Sequence, residues 1–350
     1  MRRMAVLLVL CLGVSACGHP GIPPAALQSP TVAATHSAVP TAPVIGVDLY
    51  ALSNYPASQV ESDGRRMLAY IKSTLRATAV GIVWNFYSDG QHSNVVEATS
   101  QTLLPGNVAI LTKIARQDHL LVEYRPLIMV THRRNEWEGT IRPTNPVQWF
   151  DNYYQTELPY LKVAQRLGVS EFVTATEMGR LNSSPLWSSF FARVSHVYDG
   201  TVSYAAWDQD YFAGPGHFLP AKDLGMDMYS KLHLPPTASS AEVTDAWENA
   251  FAKTPASVLQ RTAIDETGIE ARAGAYTNPP SLRIQGQLDE EVQANWYTAA
   301  CATVHRYHMR GVFFWKVDLT DFPAHPATSL STFEGREGAV AISRCAEILG

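Results

Sequence analysis

Two glutamates stand where a carboxylate has chemical use. Glu177 sits in Phe172-Val-Thr-Ala-Thr-Glu-Met-Gly and Glu266 in Thr262-Ala-Ile-Asp-Glu-Thr-Gly; each follows a short β-prone run and has a glycine two residues on. A carboxylate at the end of a buried strand loses hydration, a cost tolerated where the group does chemistry or is paired. Two such groups about 5–5.5 Å apart cleave a glycosidic bond with retention, one as nucleophile and one as acid, then base. The two lie 89 residues apart in the chain, so only the fold can bring them together. The competing reading pairs each with an arginine such as Arg125 or Arg180. Asp265 rivals Glu266 as nucleophile, but neighbours on a strand point to opposite faces, so only one of them is expected at the mouth.

The elements that must position these acids alternate. β-Branched runs at Val44–Leu49, Ala79–Phe86, Leu120–Arg125, Glu171–Thr176, Thr201–Ala206, Asp223–Met228, Val258–Ile264 and Gly311–Val317 give eight candidate strands. Eight is what a closed α/β barrel, the (β/α)8 or TIM barrel, requires, and its active site lies at the carboxyl ends of the strands. A doubly wound open sheet shows the same alternation and is the alternative. Helical faces appear at Met67, Tyr70, Ile71, Thr74 and Leu75, and at Leu104, Val108, Leu111 and Ala115. Asn145-Pro146 and Ser184-Pro185 read as helix starts, Gly168 and Gly200 as stops, and Ser239 with Glu242 as a capping box. Leu288 through Val304 marks a penultimate helix carrying Cys301, and Val340–Leu349 a last one carrying Cys345. Between the fifth and sixth strands there is room only for a degenerate crossover.

Around the acids, Tyr229 follows the sixth strand and is placed to hydrogen-bond Glu266. Trp315, on the eighth strand, offers a flat face for a pyranose ring. Trp84, Trp137, Trp207 and Asp208 are further subsite candidates. Asp48 and Arg125, at ends of the first and third strands, would bind sugar hydroxyls, tune the acids or form a buried ion pair. His305 and His308 have a two-ligand spacing but no third ligand near, so no metal and no cofactor is expected.

Outside the barrel, Arg2 and Arg3 precede a short apolar run from Ala5 to Val14, too brief to span a bilayer. Val14-Ser-Ala-Cys17 then reads as a bacterial lipobox, with residues 1–16 removed and Cys17 lipidated. Residues 17–43 form a tether rich in Pro, Ala, Ser and Thr, and 44–350 one catalytic domain. Without Arg2 and Arg3 the chain has 25 basic and 32 acidic residues, a net charge of −7, which excludes a nucleic-acid partner. An exported monomer, held to a bacterial membrane by lipid, is expected. Export permits a Cys301–Cys345 disulfide.

Several segments carry a resemblance. Leu121-Val-Glu-Tyr-Arg-Pro126, Trp137-Glu-Gly139, Trp149-Phe150, Ala175-Thr-Glu-Met178, Tyr204-Ala-Ala-Trp-Asp208, Gly225-Met-Asp-Met-Tyr229 and Asp265-Glu-Thr-Gly268, continuing to Arg272 and Pro279, occur in an order similar to glycoside hydrolase family 113. That is a clan A family of (β/α)8 barrels with β-mannanase activity, related to barrel domains of gene transfer agents. The resemblance implies that Glu177 is the acid/base and Glu266 the nucleophile, acting on a mannan-like polysaccharide or oligosaccharide. Thr176 departs from the pattern: many clan A enzymes have asparagine there to bond the sugar 2-hydroxyl, and threonine has a shorter reach. A barrel that binds glycan or cell-wall polymer without cleaving it is the alternative function.

Overall fold

The eight strands are β1 (Val44–Ala51), β2 (Ala79–Ser88), β3 (Leu121–Val130), β4 (Glu171–Thr176), β5 (Thr201–Trp207), β6 (Asp223–Asp227), β7 (Thr262–Thr267) and β8 (Gly311–Asp318). They pair in parallel in chain order, and β8 closes on β1, which decides for the barrel over the open sheet. The computed structural model describes residues 42–131, 137–214, 221, 223–280, 286–321 and 331–350. The leader, Cys17 and the tether up to residue 41 lie outside the described residues. No helix among the described residues is long and apolar enough to cross a membrane.

The helices are α1 (Ala57–Ser73), α2 (Pro105–Gln117), α3 (Pro146–Leu167), α4 (Leu186–Ser195), α5 (Asp208–Phe212), α6 (Ser240–Phe251), α7 (Ala256–Leu259), α8 (Glu290–Tyr307) and α9 (Glu337–Leu349). Local chemistry sets their ends. Asn145 accepts from the Gln148 amide at 3.2 Å to open α3, and Gly168, at φ 61°, closes it in the left-handed region that glycine adopts freely. Ser239 and Glu242 form the expected reciprocal box before α6. Among its described residues, the crossover between β5 and β6 holds the short α5, in keeping with the expected degenerate connection.

Four expectations need correction. Leu104 and Leu288 precede their helices and are 49% and 56% exposed, so neither belongs to a buried face. The helix after Ser184-Pro185 starts one residue late, with Pro185 itself as its cap. The run Val258–Ile264 is not one strand. Pro255 opens the single turn α7, which takes up Val258, and β7 instead runs on through Asp265 and Glu266. Likewise β3 continues past Arg125 through Pro126 to Val130, because β2 extends beside it in unbroken register from Ala79–Leu121 to Ser88–Val130.

The apolar core lies between the strands and the helices. Trp84 stacks on Tyr160 of α3 at 4.7 Å, and Trp296 of α8 packs edge-on to Trp247 of α6 at 4.9 Å. Burying such side chains is the main favourable term in folding. Cys301 of α8 and Cys345 of α9 form a disulfide with Cα atoms 5.6 Å apart, 44 residues apart in sequence. Closing a loop of that length is worth about 4 kcal/mol in the chain-entropy account.

The barrel axis is packed differently. Asp48, Glu123, Arg125, Asp227 and Asp265 are all buried there among glycines. A Cβ at Gly81 would lie 2.2 Å from the Asp48 carboxylate, and one at Gly225 would overlap that of Asp265, so only glycine leaves room for these acids. Burial, and then the Glu171 carboxylate, push Asp265 up to about 8. A carboxyl whose folded pKa is raised stabilises the fold below its unfolded value, near 4, and that contribution is lost as pH rises through the folded value. Stability should therefore fall as the pH rises between about pH 4 and pH 8, with Asp265 contributing to the fall. The Asp265→Asn variant should show a shallower fall over that window in urea unfolding; an identical slope would remove Asp265 from the account.

Candidate active site

Extra residues in the strands aim the site. On β4, Val173 pairs with Ser203 but Thr176 with Ala205, three steps against two. On β7, Met226 faces Ile264 but Asp227 faces Glu266. On β8, Val47 faces Phe314 but Leu49 faces Val317. Each is a one-residue bulge, a device that bends a strand and redirects a side chain. They sit at the carboxyl ends of β4, β7 and β8, just where Glu177, Glu266 and Trp315 occur. The bulge on β7 also answers the Asp265–Glu266 rivalry. Strict alternation fails there: Asp265 packs into the axis against Gly225, while Glu266 rises to the mouth.

Glu177 and Glu266 line one cavity of about 360 Å³ at that end, with Trp137, Trp207, Tyr229 and Trp315 among its walls. Glu266 is held from two sides. Arg125 Nη2 lies 2.8 Å from Glu266 Oε2, and the Tyr229 hydroxyl donates to Oε1 at 2.5 Å. Arg125 is itself fully buried; it also contacts Asp227 at 2.6 Å and Asp48 at 3.8 Å and donates to the Asp265 carbonyl. The guanidinium and the phenol donor each hold one oxygen of Glu266, so the carboxyl group is fixed in orientation.

The setting of Glu177 is the reverse. Burial raises its pKa well above the ordinary range, the carboxylates of Glu138 and Glu266 raise it further, and the Trp137 N–H and Arg125 pull against them. Its φ is +52°, a left-handed conformation costing an ordinary residue roughly 1–2 kcal/mol. Neighbours enforce it: the Glu177 amide donates to the Ala205 carbonyl at 2.8 Å, its carbonyl accepts from Gly179 at 2.7 Å, and the Met178 amide donates to the Tyr204 hydroxyl at 2.9 Å.

Other expected site residues fall elsewhere. Trp84 is a core aromatic facing α3, since β2 alternation turns Gly81 to the axis and Trp84 away from it. Asp48 is wholly buried beside Arg125 and touches no part of the cavity, so it is an ion-pair member. Asp208 opens α5, accepts from Ser230 at 2.5 Å and is buried away from the cavity. Thr176 turns inward, where its hydroxyl accepts from Arg125 Nε at 3.4 Å, out of reach of a sugar. Arg125 holds Glu266 rather than sugar. Sequence reasoning passed over Asp227 as a site residue, although it is the last residue of β6. It also passed over Glu138, Glu270 and Lys316; the latter two line the cavity, and Lys316 pairs with Asp318 at 2.6 Å. A second cavity, of about 410 Å³, opens at the amino ends of the strands around the Glu171–Arg310 pair, away from both glutamates.

Arg125 holds the axis as well as Glu266, so the two partners of Glu266 should respond differently to removal. Arg125→Met leaves Asp48 and Asp227 buried without their cation and should lower unfolding free energy by about 3–5 kcal/mol. Tyr229→Phe should cost only about 0.5–1.5 kcal/mol. Equal losses in urea unfolding would show that Arg125 is no more than a hydrogen-bond donor.

The comparisons with known proteins bear on the fold and the family. Solved structures with the same fold include a β-1,4-mannanase of glycoside hydrolase family 113, determined as a complex, at 17% identity and TM-score 0.73, covering 87% of this chain and 98% of that one. The family 113 β-mannanase AaManA from Alicyclobacillus acidocaldarius matches at 19% identity and TM-score 0.69, covering 89% and 100%. A β-glucuronidase from Faecalibacterium prausnitzii matches at 13% and 0.54, over 88% of this chain but 49% of that one. No curated protein sequence matches the chain. The sequence profile of Glycoside Hydrolase Family 113 matches residues 56–334, a span holding all eight strands except β1, and the chain therefore belongs to that family of glycoside hydrolases.

Proposed function

We propose that the protein hydrolyses a β-1,4-linked mannan or a closely similar β-glycan with retention, Glu266 acting as nucleophile and Glu177 as acid and then base. The supporting observation is the opposed settings of two carboxyls on one cavity: one fixed by a cation and a phenol, one burdened by burial and like charge. Burial and like charge raise Glu177, which suits it to carry a proton, while Glu266 is oriented at both oxygens by its two donors. The mannan choice rests on family membership and on the mannanases of the same fold.

In the first step Glu266 Oε2 or Oε1 attacks the anomeric carbon while Glu177 gives its proton to the departing glycosidic oxygen, leaving a glycosyl ester and a free sugar hydroxyl. In the second, Glu177, now ionised, takes a proton from water as that water attacks the same carbon and frees Glu266. Trp315 and Trp207 present ring faces to the sugars. Tyr50 lies 5.3 Å from Trp315 and holds it in place. With β-1,4-mannan, the first-formed reducing ends should be β by proton NMR, and Glu177→Gln or Glu266→Gln should each lower kcat on the order of 10²–10⁴-fold or more. α-Anomeric product, or full activity in either variant, sinks the mechanism; affinity without turnover would favour the binding-only barrel.

We propose further that Cys17 carries lipid and holds the enzyme at a bacterial membrane, from the ordered charge, apolar run and lipobox of residues 1–17. The Cys17→Ser protein should leave the membrane fraction; unchanged partition would reject the anchor.

A further inference from the structure

We infer that Trp137 and Glu138 form a positioning pair for Glu177, the indole N–H selecting which carboxyl oxygen bears the proton and the Glu138 carboxyl keeping it there. This rests on the acid/base reading of Glu177. The Trp137 indole Nε1 donates to Glu177 Oε2. A neutral carboxyl accepts best through its carbonyl oxygen, so an N–H at Oε2 leaves the proton on Oε1.

The pair is held closely. Trp137 packs edge-on against Trp207 at 4.6 Å, which fixes the ring in the cavity wall. The indole folds back over Gly139, where a Cβ would come within 2.4 Å of the ring; any other residue there would displace it. The helical turn Glu138–Thr140 then lies against the turn Gly179–Leu181 that follows Glu177. A Cβ at Gly179 would stand 3.5 Å from the Gly139 carbonyl, so the two turns nearly touch through paired glycines. Glu177 is thus gripped through its backbone from the β5 side and through its carboxyl from the Trp137 side.

The two members act in opposite senses. N–H donation favours the ionised carboxyl and the adjacent Glu138 carboxylate disfavours it. Glu138 is itself raised to about 7, chiefly by burial. Among the described residues, the other charged or titratable groups facing Glu177 are Glu266 and Arg125, with Tyr204, Asp227 and Tyr229 behind them and Asp210 of α5 against Gly179. None of these changes when residue 137 or 138 alone is replaced.

The test compares Trp137→Phe, Trp137→His and Glu138→Gln in the full chain, by two measurements. In pH profiles of kcat/KM on β-1,4-mannan, the basic limb should move up in Trp137→Phe and down in Glu138→Gln. Trp137→Phe should lose about 10–100-fold in kcat, with KM changed less than about threefold, and Trp137→His, which keeps a ring N–H, should recover part of the loss. Independently of turnover, the Glu177 carboxyl is titrated by 13C NMR on glutamate-labelled protein, its signal identified by loss in Glu177→Gln. Opposite midpoint shifts support the pair even should mannan prove the wrong substrate, an outcome that would fail the proposed function alone. Shifts of the same sign, or none, overturn the inference. Should Trp137→Phe not fold, Glu138→Gln decides: a midpoint that does not fall overturns it.

Discussion

A guanidinium with no access to water sits on the axis of this barrel, and the site is organised around it. Taking an isolated charge that size out of water costs several kcal/mol even after relaxation, so Arg125 is tolerable only with partners at close range. Asp227 at 2.6 Å and Glu266 at 2.8 Å supply two of them, from adjacent strands. The interior of such a barrel is commonly filled by branched apolar layers. Here Gly46, Gly81 and Gly225 replace bulk, and the space goes to Asp48, Asp265, Phe313 and the long Arg125 side chain. The apolar core is displaced outward, between strands and helices, where Trp84, Trp247 and Trp296 lie. Apolar burial and site preparation are therefore separated: the outer shell supplies the first, and the axis, held together through Arg125, orients one carboxylate.

Bulges complete the separation. A strand of perfect alternation could present Asp265 or Glu266 inward, not both. One inserted residue in β7 lets Asp265 remain below while Glu266 reaches the mouth above it. The same insertion in β4 turns Thr176 toward Arg125 and leaves Glu177 beyond the strand in a left-handed turn. The threonine that departs from the clan pattern thus serves the guanidinium, which is why its short reach does not disturb the two carboxyls.

Much of this was legible in the sequence. Eight β-prone runs alternating with helix signals gave the barrel, because hydrophobic period and capping chemistry are local properties. Glu177 and Glu266 were legible because a carboxylate directly after a buried strand is rarely placed without a partner or a task. Register was not legible. Trp84 and Trp315 are both strand tryptophans, and only pairing shows that one faces α3 and the other the cavity. Asp208 reads as a sugar ligand, and Asp48 as either a sugar ligand or the ion-pair member it is, for the same reason: an acid at a strand end can point along the axis, start a helix or reach the mouth, and side-chain type does not tell which. Glu138 lies in a loop segment whose position depends on Gly139 and Gly179 meeting, a contact between residues 40 apart. The start of β7 was misplaced because Val258 is as β-prone as its neighbours, while Pro255 decides for a helical turn.

The charge arrangement also bears on how Glu177 would serve as acid and then base in the proposed mechanism. On the proposed mechanism, ester formation at Glu266 removes a negative charge that raises Glu177. Arg125 keeps its position, still held by Asp227 and Asp48, and its positive charge is then less fully matched by neighbours. Both changes lower the proton affinity of Glu177 at the moment it has given its proton away, so it resides as a carboxylate beside the incoming water. Hydrolysis of the ester restores the charge on Glu266 and with it the affinity of Glu177 for the proton it has taken from that water. The alternation of roles needs no movement of either side chain, because the reaction itself switches the field that sets the acid.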